Sequence, residues 1–277
     1  MPESVEIPDP VAGPHATGTL RVDHREGPGT PLVLLGGMTQ TLASWSGQLR
    51  PMSAKRSVLA YEARGQGGTV LSVQDCGFER HVADFEALLD AKGLDVVDLA
   101  GFSFGGRVSL AVAATLPHRV RRLVVSGVAL DRGVLGQLIV SGWIATLRTG
   151  DLEALARVSL PDILGPAYLQ KHAHLIEGMV KAARTRNNYE GVKALFEHTM
   201  NLPADGPWHP RALVPRLQCP VLVIGGSLDR LAPPAEVRAL AQLCGAQALE
   251  IEGAGHTVAI EAPQVWRDAV EAFLDRP

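Results

Sequence analysis

Short, almost wholly apolar runs alternate along the chain with longer stretches in which apolar residues recur every three or four positions. Residues 31–35 (Pro-Leu-Val-Leu-Leu), 57–61, 96–102, 122–126, 220–224 and 248–251 have the near-continuous apolar character of strands buried on both faces. Residues 17–24 read as an earlier strand. Phe78, Val82, Phe85, Leu88 and Leu89 fall at helical spacing, so residues 78–92 are expected to form an amphipathic helix. The run 107–114 is helix-compatible. Val265, Trp266, Ala269, Val270 and Phe273 mark a last helix over 263–274. The alternation predicts an α/β fold: a mostly parallel central sheet with helices on both faces.

Between Gly127 and Pro215 the rhythm changes. Helical patterns over 136–149, 151–158, 166–185 and 189–200 follow one another without a strand-like run. The reading is a helical cap over 128–215, inserted into a core made of 17–127 and 216–277. Residues 1–16 are left as an N-terminal arm. Its acidic, proline-rich start reads as loosely held, and neither a signal peptide nor a membrane span is visible, so the expected location is cytoplasmic.

Composition narrows the function classes. A chain of 277 residues, 46% hydrophobic and 20% charged, can bury a core without disulfide staples. A net charge of −3 carries no basic footprint for nucleic acid. Cys76, Cys219 and Cys244 have no metal-like spacing and are expected to be inert thiols. His172 and His174, two apart in a predicted helix, make a poor metal pair. The glycines at 65, 67 and 68 fit neither a dinucleotide fingerprint nor a phosphate loop. Neither a cofactor nor a metal is expected.

Chemistry concentrates where strands end. Gly101-Phe102-Ser103-Phe104-Gly105 lies between a strand and a helix, and the flanking glycines leave room for a strained turn that lifts Ser103 clear of the sheet. Asp229 follows the 220–224 strand in Gly-Gly-Ser-Leu-Asp, and His256 follows the 248–251 strand in Gly-Ala-Gly-His. In a parallel sheet the carboxyl ends of the strands share one edge, so the three residues converge there. A serine hydroxyl needs an imidazole to take its proton, and the imidazole needs a carboxylate to fix its tautomer.

In these three motifs, and in their order Ser, Asp, His, the chain resembles the α/β-hydrolase superfamily from about residue 18 to 274. A helical cap after the sixth strand is also typical of that family. The resemblance implies Ser103 as nucleophile, His256 as general base and acid, and Asp229 as orienting carboxylate, with Asp131 the alternative acid. It implies an oxyanion hole from the backbone N–H groups of Phe104 and Met38, although Gly36 stands where many members carry histidine. Arg64, in a segment like the family's Asp-x-Arg-Gly-x-Gly, is read as structural support.

The expected activity is hydrolysis of a carboxylic ester, lactone or thioester of a small to medium, largely apolar substrate through an acyl-enzyme. The alternatives are a carbon–carbon bond hydrolase of the β-diketone type using the same residues, and a ligand receptor on the same fold with little turnover. Gly37, Trp143 and Met179 are the candidate substrate-binding residues. Lys181, Arg184 and Arg186 could meet a substrate carboxylate, but a solvated helix face explains them better. The expected partner is a small-molecule substrate, without nucleic acid or membrane, on a monomer or homodimer.

Overall fold

A computed structural model describes residues 2–200 and 202–276; Met1 of the predicted arm, Asn201 of the predicted cap and Pro277 of the core lie outside the described residues. The elements in chain order begin with strands β1 (Glu3–Pro8), β2 (Thr17–Arg25) and β3 (Leu32–Leu35), helix α1 (Ser46–Ser53), β4 (Val58–Tyr61) and α2 (Phe78–Ala91). Strand β5 (Val97–Phe102), α3 (Phe104–Thr115) and β6 (Val120–Ser126) follow. Next come α4 (Val134–Leu147), α5 (Leu152–Ile163), α6 (Pro166–Lys171), α7 (Ile176–Arg186), α8 (Tyr189–Thr199) and α9 (Pro210–Leu213). The chain closes with β7 (Val221–Gly226), α10 (Pro234–Leu243), β8 (Ala248–Ile251), α11 (Val258–Glu261) and α12 (Pro263–Leu274).

The described strands form one sheet in the order β1-β2-β4-β3-β5-β6-β7-β8. Pairing is antiparallel at β1/β2 and β2/β4 and parallel from β4 onward. Strand side chains alternate between faces, so Val33 and Leu35 enter one apolar cluster with α2 and α3, while Leu32 and Leu34 enter another with α1 and α12. That two-sided burial is why β3, β4 and β5 are buried at every position. The one acid in β5, Asp98, accepts two hydrogen bonds from Arg121, at 2.9 and 2.6 Å.

The N-terminus departs from its expectation. Residues 3–8 pair with β2 from Glu3↔Val22 to Pro8↔Thr17, and Ile7 is buried. Val5 and Ile7 carry a period of two that the surrounding acids and prolines obscure. Beyond β1, Asp9 accepts a hydrogen bond from Arg64 at 2.7 Å. Arg64 is wholly buried and also gives a two-pronged bond to Asp84, at 2.8 and 2.7 Å. The structural reading of Arg64 holds, and the arm is anchored at that residue.

Helices α4–α8 lie between β6 and β7, and α4, α5 and α8 share an apolar cluster with Val140, Trp143, Leu155, Val192 and Phe196. The stretch 166–185, expected as one helix, breaks after Lys171 into a 3-10 turn (Ala173–Leu175) before α7. His172 and His174 therefore sit in the break, not on a helix face. Among helices of eight residues or more, two went unread in the sequence. In α1 only Gln48, Leu49 and Met52 are buried and Pro51 interrupts the pattern, while in α10 alanines dilute the stripe of Val237, Leu240 and Ala241.

The three thiols are unpaired, and burial pushes them up, to about 12 for Cys76 and about 11 for Cys219 and Cys244. Among the described residues no helix is long and apolar enough to cross a membrane.

Candidate active site

Four strand ends build the site. β3 runs into the loop carrying Met38, β5 into Ser103, β7 into Asp229 and β8 into His256. Ser103 has φ +53° and ψ −115°, a backbone conformation that side chains other than glycine's rarely adopt. Its neighbours permit the turn. A Cβ on Gly101 would overlap Gly105 O and Ser109 Oγ, and one on Gly105 would overlap the carbonyls of Leu35 and Gly36. Ser103 N–H donates to Ser126 O at 2.8 Å, which pins the turn to β6.

His256 lies 2.9 Å from Ser103 Oγ through Nε2 and 2.7 Å from Asp229 Oδ2 through Nδ1. An ionised carboxylate accepts only, so Asp229 fixes the proton on Nδ1 and leaves the Nε2 lone pair facing the serine hydroxyl. Both His256 and Asp229 are buried. Asp229 Oδ1 accepts the N–H groups of Leu231 and Ala232 at 2.8 and 2.9 Å, so its orientation is fixed before it meets the imidazole. Asp131 is elsewhere: it pairs with Arg211, and its carboxylate stands 3.6 Å from His209 Nε2. Of the two candidate acids, Asp229 is the one that reaches His256.

The loop after β3 is held from several sides. Gly37 N–H donates to Gln40 Oε1 at 2.8 Å, and Asn187 Nδ2 donates to Thr39 O at 3.0 Å. Thr39 itself sits at φ +63°. Glu62, buried, accepts from Leu42 N at 2.8 Å and Gly68 N at 2.6 Å. Met38 and Phe104 line the same cavity as Ser103, and among the described residues neither backbone N–H has an acceptor.

That cavity has a volume of about 340 Å³ and opens between the sheet edge and α4. Val128, Val140, Trp143 and Leu231 give it apolar walls. Trp143 donates its indole N–H to Asp162 at 3.0 Å. Gly37 flanks the serine without lining the cavity: a Cβ there would stand 2.9 Å from the Phe102 ring and 3.4 Å from Ser103 Cβ. Met179 is a correction. It lines a separate groove of about 260 Å³ between the 39–44 loop, α5 and α7.

Of the basic cluster, Arg184 is exposed beside Glu153 and Arg186 lines the separate groove. The guanidiniums that do line the Ser103 cavity are Arg107 and Arg132. Their signal was present in the sequence, since Arg107 stands one turn after Ser103 and Arg132 a few residues past β6. Also unread was Glu261. Its Oε2 accepts from Gly165 N at 2.7 Å and Gly255 N at 2.9 Å, and its Oε1 from Thr257 Oγ1 at 2.9 Å. Ile163 O accepts the N–H groups of His256 and Thr257, at 3.0 and 3.2 Å. The helical segment and the His256 loop are thereby fastened together.

The chain is 29% identical to a pyrrolizixenacetamide deacetylase of Xenorhabdus hominickii over 90% of its own length and 92% of that protein's. It is 30% identical to the dihydrolipoyllysine-residue acetyltransferase component of the acetoin cleaving system of Pseudomonas putida, over 89% of its own length, but spans 64% of that longer protein. The crystal structure of the enol-lactonase from Burkholderia xenovorans LB400 superposes with a TM-score of 0.83 at 25% identity, covering 94% of this chain and 97% of that one. The model of the alpha/beta hydrolase fold family matches residues 30–263. With sheet order, strand-end geometry and these matches in accord, the chain belongs to that family and is a hydrolase.

Proposed function

We propose that the chain is a serine hydrolase that cleaves a carboxylic ester, lactone or thioester of a small molecule through an acyl-enzyme. The observation that carries this reading is the unbroken hydrogen-bonded relay from Ser103 through His256 to Asp229, at 2.9 and 2.7 Å, opening into the cavity. In the proposed mechanism Ser103 Oγ attacks the substrate carbonyl while His256 Nε2 takes its proton. Asp229 holds the imidazole in register and stabilises its charged form. The N–H groups of Met38 and Phe104, without an acceptor among the described residues, receive the oxyanion. His256 then protonates the leaving group, and a water activated by the same nitrogen releases the acid.

Residues 128–215 act as the cap in this proposal. Their helix α4 supplies Val140 and Trp143 to the cavity wall, and the 340 Å³ volume suits a small to medium acyl compound. The deacetylase and lactonase relatives point to the same broad chemistry. Labelling with a fluorophosphonate probe tests the reading. Ser103 is expected to be modified, and Ser103→Ala to lose both labelling and p-nitrophenyl ester turnover. An unlabelled, folded wild-type protein that turns over no ester overturns it. A β-diketone cleaved in preference to every ester would move the chain to the carbon–carbon reading.

A further inference from the structure

The wall of the Ser103 cavity contains two positive charges that no carboxylate among the described residues neutralises. Arg107 and Arg132 each place one guanidinium N–H on a carbonyl at the end of α8: Arg107 Nη1 on Thr199 O at 3.0 Å and Arg132 Nη1 on Met200 O at 2.9 Å. A guanidinium has five N–H donors, so most of each remains unspent. Beyond that, Arg107 packs its cation over the Phe78 ring, 5.2 Å from the centroid. Neither has a carboxylate within 4 Å among the described residues. Asp131 lines the same cavity, but Arg211 and His209 occupy it.

The negative end of a helix favours cations, and that explains one guanidinium at the end of α8. It does not explain two. Burial and the nearby Arg132 charge both push the Arg107 guanidinium below the usual arginine range, and burial lowers Arg132 as well. Desolvating like charges side by side is unfavourable unless a counter-charge completes the site. Elsewhere this chain treats a buried arginine differently: Arg64 is fully covered and has two carboxylates.

We propose that Arg107 and Arg132 form an anion subsite, and that the substrate carries a carboxylate in addition to its scissile acyl group. This rests on the serine hydrolase reading, since the subsite shares its cavity with Ser103. Forked N–H donors match the two oxygens of a carboxylate, and one turn of α3 separates Arg107 from the nucleophile. The charge would therefore fix which carbonyl is presented to Ser103 Oγ.

The test compares p-nitrophenyl monoesters of succinate, glutarate and adipate with the neutral butyrate, valerate and hexanoate. Wild type is expected to prefer one anionic ester over its neutral match by about 10- to 100-fold in kcat/KM, the range for a charge-assisted hydrogen bond. Arg107→Gln and Arg132→Gln should each lower that ratio by about tenfold, and added salt should erode it. In parallel, calorimetry should detect glutarate but not glutaramide binding to wild type, with the heat lost in either variant. Turnover of neutral esters with no anionic preference, or a preference and glutarate binding that both variants keep, overturns the subsite and leaves the hydrolase reading standing. Absence of all ester turnover and of Ser103 labelling overturns that reading instead, while glutarate binding still decides the subsite. Should one variant fail to fold, the wild-type preference and the other variant decide.

Discussion

The two sides of the cavity treat polar groups in opposite ways. Around the His256 and β3 loops, Asp229, Glu62 and Glu261 each meet several partners, as does Arg64 outside the cavity wall. On the α8 side, Arg107 and Arg132 keep most of their donors and all of their charge. Saturated groups hold a backbone in place, because any movement breaks more than one bond. Unsaturated groups hold nothing so firmly; they are arranged for something that arrives. Stability and recognition thereby fall to different residues around one site.

The largest expected effect breaks the saturated side. Asp229→Asn should lower kcat by about 10⁴-fold, because the imidazole is then free to take the wrong tautomer. Asp131→Asn should cost at least a hundredfold less, since Asp131 does not reach His256. Steady-state rates on one neutral ester make the comparison, and equal losses would remove the distinction between the two carboxylates.

Next in size is Arg64→Gln. It strands the Asp84 and Asp9 carboxylates and should cost about 3–5 kcal/mol in chemical denaturation. A loss below about 1 kcal/mol would mean that the buried network is not what anchors β1.

His81 sharpens the contrast because it is buried and its Nε2 has no hydrogen-bond partner among the described residues, yet it is neutral. Burial, with the Arg64 charge second, holds it down to about 3 from an ordinary 6.5. The unfolded chain therefore binds the proton first as pH falls. Stability due to this group is intact above about pH 6.5 and declines toward pH 3, with a slope approaching 1.4 kcal/mol per pH unit. Denaturation midpoints of wild type and His81→Leu across that window should diverge in slope, and parallel curves would show that His81 is not the proton acceptor.

The smallest effect belongs to the open side. Arg107→Gln removes a desolvated charge repelled by Arg132, so stability should stay within about 1 kcal/mol of wild type and move upward if at all. A loss comparable to that of Arg64→Gln would make Arg107 a structural residue and abolish the asymmetry.

Much of this arrangement was legible in the chain. β3, β4 and β5 are two-sided apolar runs, and such runs announce themselves wherever burial is complete. Ser103, Asp229 and His256 stand in short motifs at strand ends, where one glycine-rich turn sets the geometry. What escaped was long-range. β1 is fixed by pairing with β2 and by Asp9 meeting Arg64 across 55 positions, which no local window contains. Met179 lines a groove apart from the serine, and a helical period carries no record of which cavity a helix face meets. Arg107 and Arg132 went unread because charge in a cavity is informative only once its missing partners are known.

The bonds from Ile163 O to the His256 loop, and from Glu261 to Gly165 and Gly255, set the unit in which this family can exchange parts. A chimera that takes residues 128–215 from a relative inherits the job of accepting the His256 and Thr257 N–H groups. Residues 163–165 must therefore travel with Glu261 and the 253–257 turn, although some 90 positions separate them. Swaps that respect this pairing would change which molecules are admitted; swaps that cut it would dismantle the machinery they were meant to redirect.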